Sequence, residues 1–328
     1  MRKTYNSRII TADEAKELMP HGRRADLHIH TLFSPDVIKV KALLPSVLYE
    51  KAKSMNLDYF SFTDHDSIEA YKIVGWQREG LIPGVEITIL DKERVGHTIH
   101  SNVYLGTDPI EGTRHFNELS KIAKDGNIEN FLQYCRDYNL PHTYNHPLWF
   151  ERKEIKAKKK PSLESIVSLM DEFPVIEYNT SLVRILNKLI AIIALEKKKG
   201  VVLGSDTHIG ALWSYTLAEG DSFQDYWKNI EKGKAYLVPR RLNREAVRKD
   251  IKLWLSHFFD GERVKIDGKS EYPYINVKPL DELMKIFYNG SKTRVAKEVL
   301  KHICYVVSNF GFAGFYLNSQ YKTLKELP

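Results

Sequence analysis

The sequence predicts an α/β protein with a mostly parallel sheet, followed by a mainly helical extension. Three observations predict it. Strand-like apolar segments alternate with helix-period segments from Ala25 to Val238. Beyond Pro239 that order stops and helical patterns dominate. The 328 residues exceed one ordinary domain but suit a single α/β barrel with an appendage. The expected division is a barrel domain over 1–239 and a helical appendage packed on it over 240–328.

Each element has a local reason. Residues 11–18 read as a short helix capped by Thr11. Residues 25–30 form the first strand, and Phe33-Ser34-Pro35-Asp36 the loop after it. Residues 45–55 are a helix, with Pro45 in its first turn and Leu48, Ala52 and Met55 at helical spacing. Residues 57–63, 81–90 and 98–105 are strands, the first rich in aromatic and β-branched residues. Residues 115–138 are helical with a break at Gly126, and 140–146 are a short strand. A helix over 162–172, capped by Ser162, precedes a strand over 174–179. A helix over 182–199 stops at Gly200, and 201–206 is a strand. Residues 222–232 are a helix and 235–238 the last strand. In the extension, 242–259, 281–288 and 291–309 read as helices, and 260–278 as a loop or hairpin.

Composition narrows the class. An apolar fraction of 43% and a charged fraction of 28% are those of a water-soluble globular protein. Two cysteines, Cys135 and Cys304, lie far apart, which excludes a disulfide framework and a cysteine-type zinc site. No signal-like segment opens the chain, and the apolar run near residues 182–195 is interrupted by Arg184, Asn187 and Lys188. A cytoplasmic location with no membrane partner is expected. The net charge of +7 suits an anionic substrate and, less specifically, nucleic acid.

The chemistry starts at Asp26-Leu27-His28-Ile29-His30-Thr31. Alternate strand residues share a face, so His28 and His30 point at one spot. Two imidazoles there repel when protonated and leave lone pairs unsatisfied when neutral. A divalent cation resolves both problems. Alone, the pair suits an ordinary half-buried strand equally well, so the later strands decide. They carry Thr63-Asp64-His65-Asp66, Pro83-Gly84-Val85-Glu86, His97 with His100, Asn145-His146-Pro147, Glu177-Tyr178-Asn179 and Gly204-Ser205-Asp206-Thr207-His208. Ligand-type residues at the C-terminal ends of barrel strands converge where such folds keep their active sites. A buried cluster of this size needs metal ions or complete pairing.

These motifs, in this order, resemble the PHP (polymerase and histidinol phosphatase) domain over about residues 20–240. The resemblance implies a distorted seven-stranded, TIM-like α/β barrel holding two or three divalent ions, zinc, manganese or iron. It also implies phosphoester hydrolysis by metal-activated hydroxide. Carried over, His28, His30, Glu86 and Asp206 hold a first metal. Glu86 bridges to a second, completed by His100 and His146. His65 and His208 hold a third. Where many relatives place a further histidine in the loop after the first pair, this chain has Asp36, a harder ligand. Asp64, Glu86 and Asp206 are also expected to be catalytic; Asp64 reads as a ligand, as a residue orienting a histidine or as a proton donor, and either Asp64 or the third metal serves the leaving group.

Other residues are weighed against these. His97 and His100 differ by an odd number, so a regular strand sends them to opposite faces, and His100 matches the family position. His142 is expected to lie deeper in its strand, held by a hydrogen bond. Asp26 is expected to support the site, and Asn179 to line it or form a turn. His21, His115, His257 and His302 have no partners at ligand spacing. Arg152, in the segment after His146, is a candidate for binding substrate phosphate, and the lysine-rich run 156–160 extends that basic loop. The expected activity is hydrolysis of a phosphate ester of a small metabolite or nucleotide. The alternatives are a nuclease or repair phosphodiesterase, or an amidohydrolase-like enzyme acting on a carbonyl substrate. The last is disfavoured because no lysine ends a strand.

Overall fold

The structure is a computed structural model that describes residues 8–149, 161–240 and 242–266, with 298, 301, 302, 318 and 320. The sequence-predicted helix over 281–288, nearly all of that over 291–309, and most of the 260–278 segment lie outside the described residues.

Helix α1 (Ala12–Leu18) begins on a capping box, Thr11 accepting from Glu14 N while Glu14 accepts from Thr11 N. Then come β1 (Arg23–Ile29), α2 (Pro45–Ser54), β2 (Tyr59–Phe62), α3 (Glu69–Val74), β3 (Gly84–Ile89), α4 (Lys92–Val95) and β4 (Ile99–Tyr104). After these come α5 (Pro109–Lys124), α6 (Ile128–Asp137), β5 (Thr143–Tyr144), α7 (Leu163–Met170), β6 (Val175–Asn179), α8 (Arg184–Glu196) and β7 (Gly200–Gly204). Strand β8 (Tyr215–Ala218), α9 (Phe223–Glu231), β9 (Tyr236–Val238) and α10 (Arg244–Asp260) complete the described elements. Asp108, Asn127, Ser162, Ser222 and Asn243 cap their helices with side-chain oxygens. The break between α5 and α6 falls at Gly126, where φ is 69°.

The α/β expectation holds, but the sheet is mixed rather than mostly parallel. Strands order β2-β1-β8-β9, β3-β4 and β5-β6-β7 in three sheets. Pairs β1/β2, β5/β6 and β6/β7 are parallel, whereas β3/β4, β1/β8 and β8/β9 are antiparallel. The reason at β3/β4 is length. Only a short segment carrying α4 joins them, and a parallel crossover needs about a dozen residues. Isolated bridges span the gaps between sheets: Phe60 to Leu81, His65 to Glu86, Val103 to His142 and Ile29 to Thr207. Among the described residues the ladders form no single closed sheet.

Three further details differ from expectation. Strand β8 and the short helix α3 were not foreseen, since neither shows a long periodic run. Gly200 does not stop α8; it opens β7, and the turn is made by Lys198 with φ 56°.

One apolar cluster runs through the molecule, joining Phe60, Phe62, Val85 and Ile87 of the sheets to Phe131, Leu169 and Ile190 of the helices. Burying such side chains stabilises by about 1.5–3 kcal/mol each. Leu255, Phe258 and Phe259 of α10 belong to the same cluster, so the start of the extension is welded to the rest. Among the described residues no helix is long and apolar enough to cross a membrane.

Candidate metal centre

Strand β1 delivers the first pair through an irregularity. Between Asp26 and Ile29 it has one more residue than β2 opposite, a bulge that re-aims the intervening side chains. His28 and His30 converge as expected, with their Nε2 atoms 3.1 Å apart. Glu86, inside β3, places Oε2 3.2 Å from both nitrogens. Asp206, just past β7, places Oδ1 3.1 Å from His30 Nε2 and 3.5 Å from His28 Nε2.

Those separations carry the fit to a cation. Four donors around a tetrahedral ion with bonds of about 2.0–2.1 Å stand about 3.3 Å from one another. The five separations found among His28, His30, Glu86 and Asp206, 3.1–3.5 Å, are of the size that donors sharing one ion have.

Around Glu86 the arrangement continues. Its Oε1 lies 3.2 Å from His146 Nε2 and 3.3 Å from His100 Nδ1, and it accepts a hydrogen bond from Asn145 Nδ2 at 2.9 Å. The buried His100 Nδ1 makes no hydrogen bond despite this proximity. A nitrogen close to a carboxylate but misaligned for sharing a proton suits two donors of one ion. His100 also corrects the expected strand geometry. It is near the start of β4, opposite Thr88, and reaches the site because β4 runs antiparallel to β3. Glu86 pairs with Asn102, so His100 is its diagonal neighbour on the same face.

The third set also comes together. Asp36 Oδ2 lies 2.7 Å from His208 Nε2 and 3.6 Å from His65 Nε2, and His65 Nδ1 lies 3.3 Å from Glu86 Oε2. Three groups of side chains thus have the composition and spacing to hold an ion: His28, His30 and Asp206; His65, Glu86 and His100; and His30, Asp36, His65 and His208.

Two of these residues sit in backbone conformations that cost side-chain-bearing residues energy. His146 has φ 28° and Asp206 has φ 49°. Hydrogen bonds hold both: His146 N donates to Glu177 Oε2 and Asp206 N donates to His28 O, each at 2.9 Å.

The charge balance points the same way. Burial opposes a charged His28, yet the Glu177, Glu86 and Asp206 carboxylates outweigh it and raise its pKa well above the imidazole range. For His30 the bonds to Asp206 and Glu86 likewise outweigh burial. His65 is raised by Glu86 and Asp36, and His208 by Asp36. Glu86 and Asp206 are held low against burial, Glu86 chiefly by His65 and His28, and Asp206 chiefly by His28 and by a bond from His30. The buried carboxylates therefore demand positive charge in the pocket.

Supporting residues lie behind these donors. Glu177 was noted only as a strand-ending residue, yet its Oε1 is 2.5 Å from His28 Nδ1 and it is 1% exposed. Its signal in the sequence was a carboxylate two residues from Asn179 on an otherwise apolar strand. Asn179 lines the site, donating to Asp206 Oδ2 at 2.9 Å, and also forms a turn by accepting from Ser181 N. Asp26 accepts from Ser205 N at 3.1 Å, and burial pushes its pKa up to about 7. Ser34 Oγ meets His30 Nδ1 at 3.1 Å.

Asp64 is tied to Thr31 in the turn after His30. Both its oxygens are occupied by Thr31, accepting from the backbone N at 2.6 Å and from the hydroxyl at 2.7 Å. It fixes the turn after β1. His97 bonds Thr98 O and Tyr144. His142 Nδ1 donates to Leu140 O as expected, but its buried Nε2 has no partner, and burial lowers its pKa to about 4. Arg152 and the lysine-rich run lie outside the described residues.

No protein-family model matches this chain, and no curated protein matches it. Solved structures do. PsfC from Pseudomonas syringae aligns with a TM-score of 0.50 at 14% identity, covering 72% of this chain and 98% of its own. A Bifidobacterium adolescentis protein put forward as a metal-dependent phosphoesterase aligns at 0.38 with 16% identity, covering 56% and 87%. The lesion-specific endonuclease EndoQ from Pyrococcus furiosus aligns at 0.42 with 14% identity, covering 88% and 83%. The likeness to PsfC, at 14% identity, is one of fold.

Proposed function

We propose that this chain is a PHP-type metal-dependent hydrolase that cleaves a phosphate ester of a small metabolite or nucleotide. The observation that carries the reading is the convergence of buried His28 and His30 with the Glu86 and Asp206 carboxylates at 3.1–3.5 Å. His100 and His146 lie against the other oxygen of Glu86, so Glu86 would serve two neighbouring sites. Asp36, His65 and His208 form the third. In this reading the three bridged sheets are the strands of a distorted seven-stranded barrel, with β8 and β9 added at its edge. Zinc, manganese or iron suits the mixed imidazole and carboxylate donors.

Bound ions would lower the pKa of water to about 7 and neutralise an anionic substrate. The chain's own part is orientation. Glu177 fixes the tautomer and direction of His28, and Asn145 and Asn179 fix Glu86 and Asp206. Asp64 holds the turn that carries His30, Ser34 and Asp36.

Phosphate esters, lactones and amides offered to the purified chain test the substrate class. Turnover confined to phosphate esters is expected, and turnover confined to lactones or amides would overturn it. The +7 charge favours one other reading, a nuclease acting on a polyanionic strand. Cleavage of single- or double-stranded DNA in preference to monoesters would establish that instead.

A further inference from the structure

Among the described residues, the C-terminal extension meets three loops at the donor-bearing end. Beyond α10, Val40 and Arg263 form an antiparallel bridge, Lys41 N donating to Glu262 O at 2.8 Å and Val264 N to Lys39 O at 2.9 Å. That pairing grips the segment that carries Asp36. Within α10, His257 Nε2 donates to Ile209 O at 3.2 Å, one residue beyond His208. Further on, Gln320 accepts from Val183 N at 2.6 Å and donates to Ser181 O at 3.1 Å, in the loop after β6. Ser181 in turn donates to Ser205 O beside Asp206. The grip is tight. A Cβ on Gly261 would lie 2.7 Å from Val40 Cγ1, and Leu255, Phe258 and Phe259 share one apolar cluster with Val37, Ile38 and Val40.

Asp36 and His208 face each other across two loops with no ladder between them. They come from sequence positions 36 and 208, and Asp36 is 40% exposed at its side chain. The first-site donors differ: His28 and Glu86 lie within strands and are almost wholly buried. The pair that needs outside support is thus the pair whose loops the extension holds.

We infer that the C-terminal extension is a clamp that sets the Asp36–His208 pair, with His257 and the 262–264 segment as positioning elements for the third ion site. This rests on the metal reading above. His28 and Glu86 lie inside strands that these contacts of the extension do not touch.

Full-length wild type, His257→Leu, His257→Gln and Val264→Pro are titrated with Mn2+ against a chelator, and ions per chain are counted. Gln keeps an N–H donor where His257 Nε2 stands; Leu removes it, and Pro removes the Val264 N–H. His257→Leu and Val264→Pro are expected to weaken the loosest ion at least ~10-fold, a loss of the size seen when groups that orient ligands are removed. The tighter ions should be unchanged, and His257→Gln should match wild type. Wild-type titrations for both disrupting variants overturn the inference, as does uniform weakening of every ion. If Val264→Pro fails to fold, the Leu and Gln pair decides. A wild type that binds no ion overturns the metal reading itself.

Discussion

Glu177 Oε1 lies 2.5 Å from His28 Nδ1, both groups buried and 149 residues apart in sequence. The contact leaves Nε2 as the nitrogen turned towards His30, Glu86 and Asp206. A carboxylate behind an imidazole fixes its tautomer and strengthens it as a ligand. Glu177→Gln keeps the shape and removes the charge. Its metal affinity should fall by about 10–100-fold, and the metal-free chain should melt lower, since Gln no longer pairs with a protonated His28. Chelator competition and thermal unfolding check both halves.

Gly204 abuts that contact. A Cβ there would lie 2.8 Å from His28 Cβ and would collide with the Glu177 carboxylate. Gly204→Ala should therefore displace both side chains, and the variant should fold with lowered stability and lose most of its metal. Wild-type metal content in Gly204→Ala would show that the pocket gives way at no cost.

His28→Ala and Asp206→Ala each remove one donor of the first set. Both should abolish hydrolysis, by at least ~10^3-fold if the ion provides the main stabilisation of developing charge. Circular dichroism should still report a folded α/β chain, since the apolar cluster is untouched. Retained activity in either variant argues against this donor set.

The pH dependence has a sign. His28, His30, His65 and His208 are all raised above about 6.5 in the metal-free fold, burial being outweighed by nearby carboxylates. A raised folded-state pKa stabilises fully below the unfolded value, and that contribution is lost as pH climbs through the folded one. Metal requires unprotonated imidazole, so the loaded chain escapes this loss. The gap in melting temperature between loaded and stripped chain should widen from about pH 6 to about pH 8.5. A flat or narrowing gap in differential scanning fluorimetry would count against imidazole ligation.

Much of the site was legible because ligation needs few residue types at fixed strand parity. His28 and His30 sit two apart on one strand, and His65, Glu86, His146, Asp206 and His208 mark later strand ends. The structure gathers all nine proposed ligands. What the residues alone hid was direction and support. The antiparallel course of β4 follows from a connection too short for a crossover, and it alone brings His100 to the right end. Glu177 and Asn145 act through contacts across sheets, which periodicity does not encode. Asp64 was open to three roles from its sequence position, and its bonds to a threonine 33 residues earlier are long-range contacts that the sequence pattern does not show.

The most direct test of the central claim is phosphate-ester hydrolysis by the same preparation before and after metal removal. The chain stripped by chelator should be inactive. It should regain activity on adding back zinc, manganese or iron, with two or three ions bound per chain. Undiminished turnover by the fully stripped chain would contradict the account.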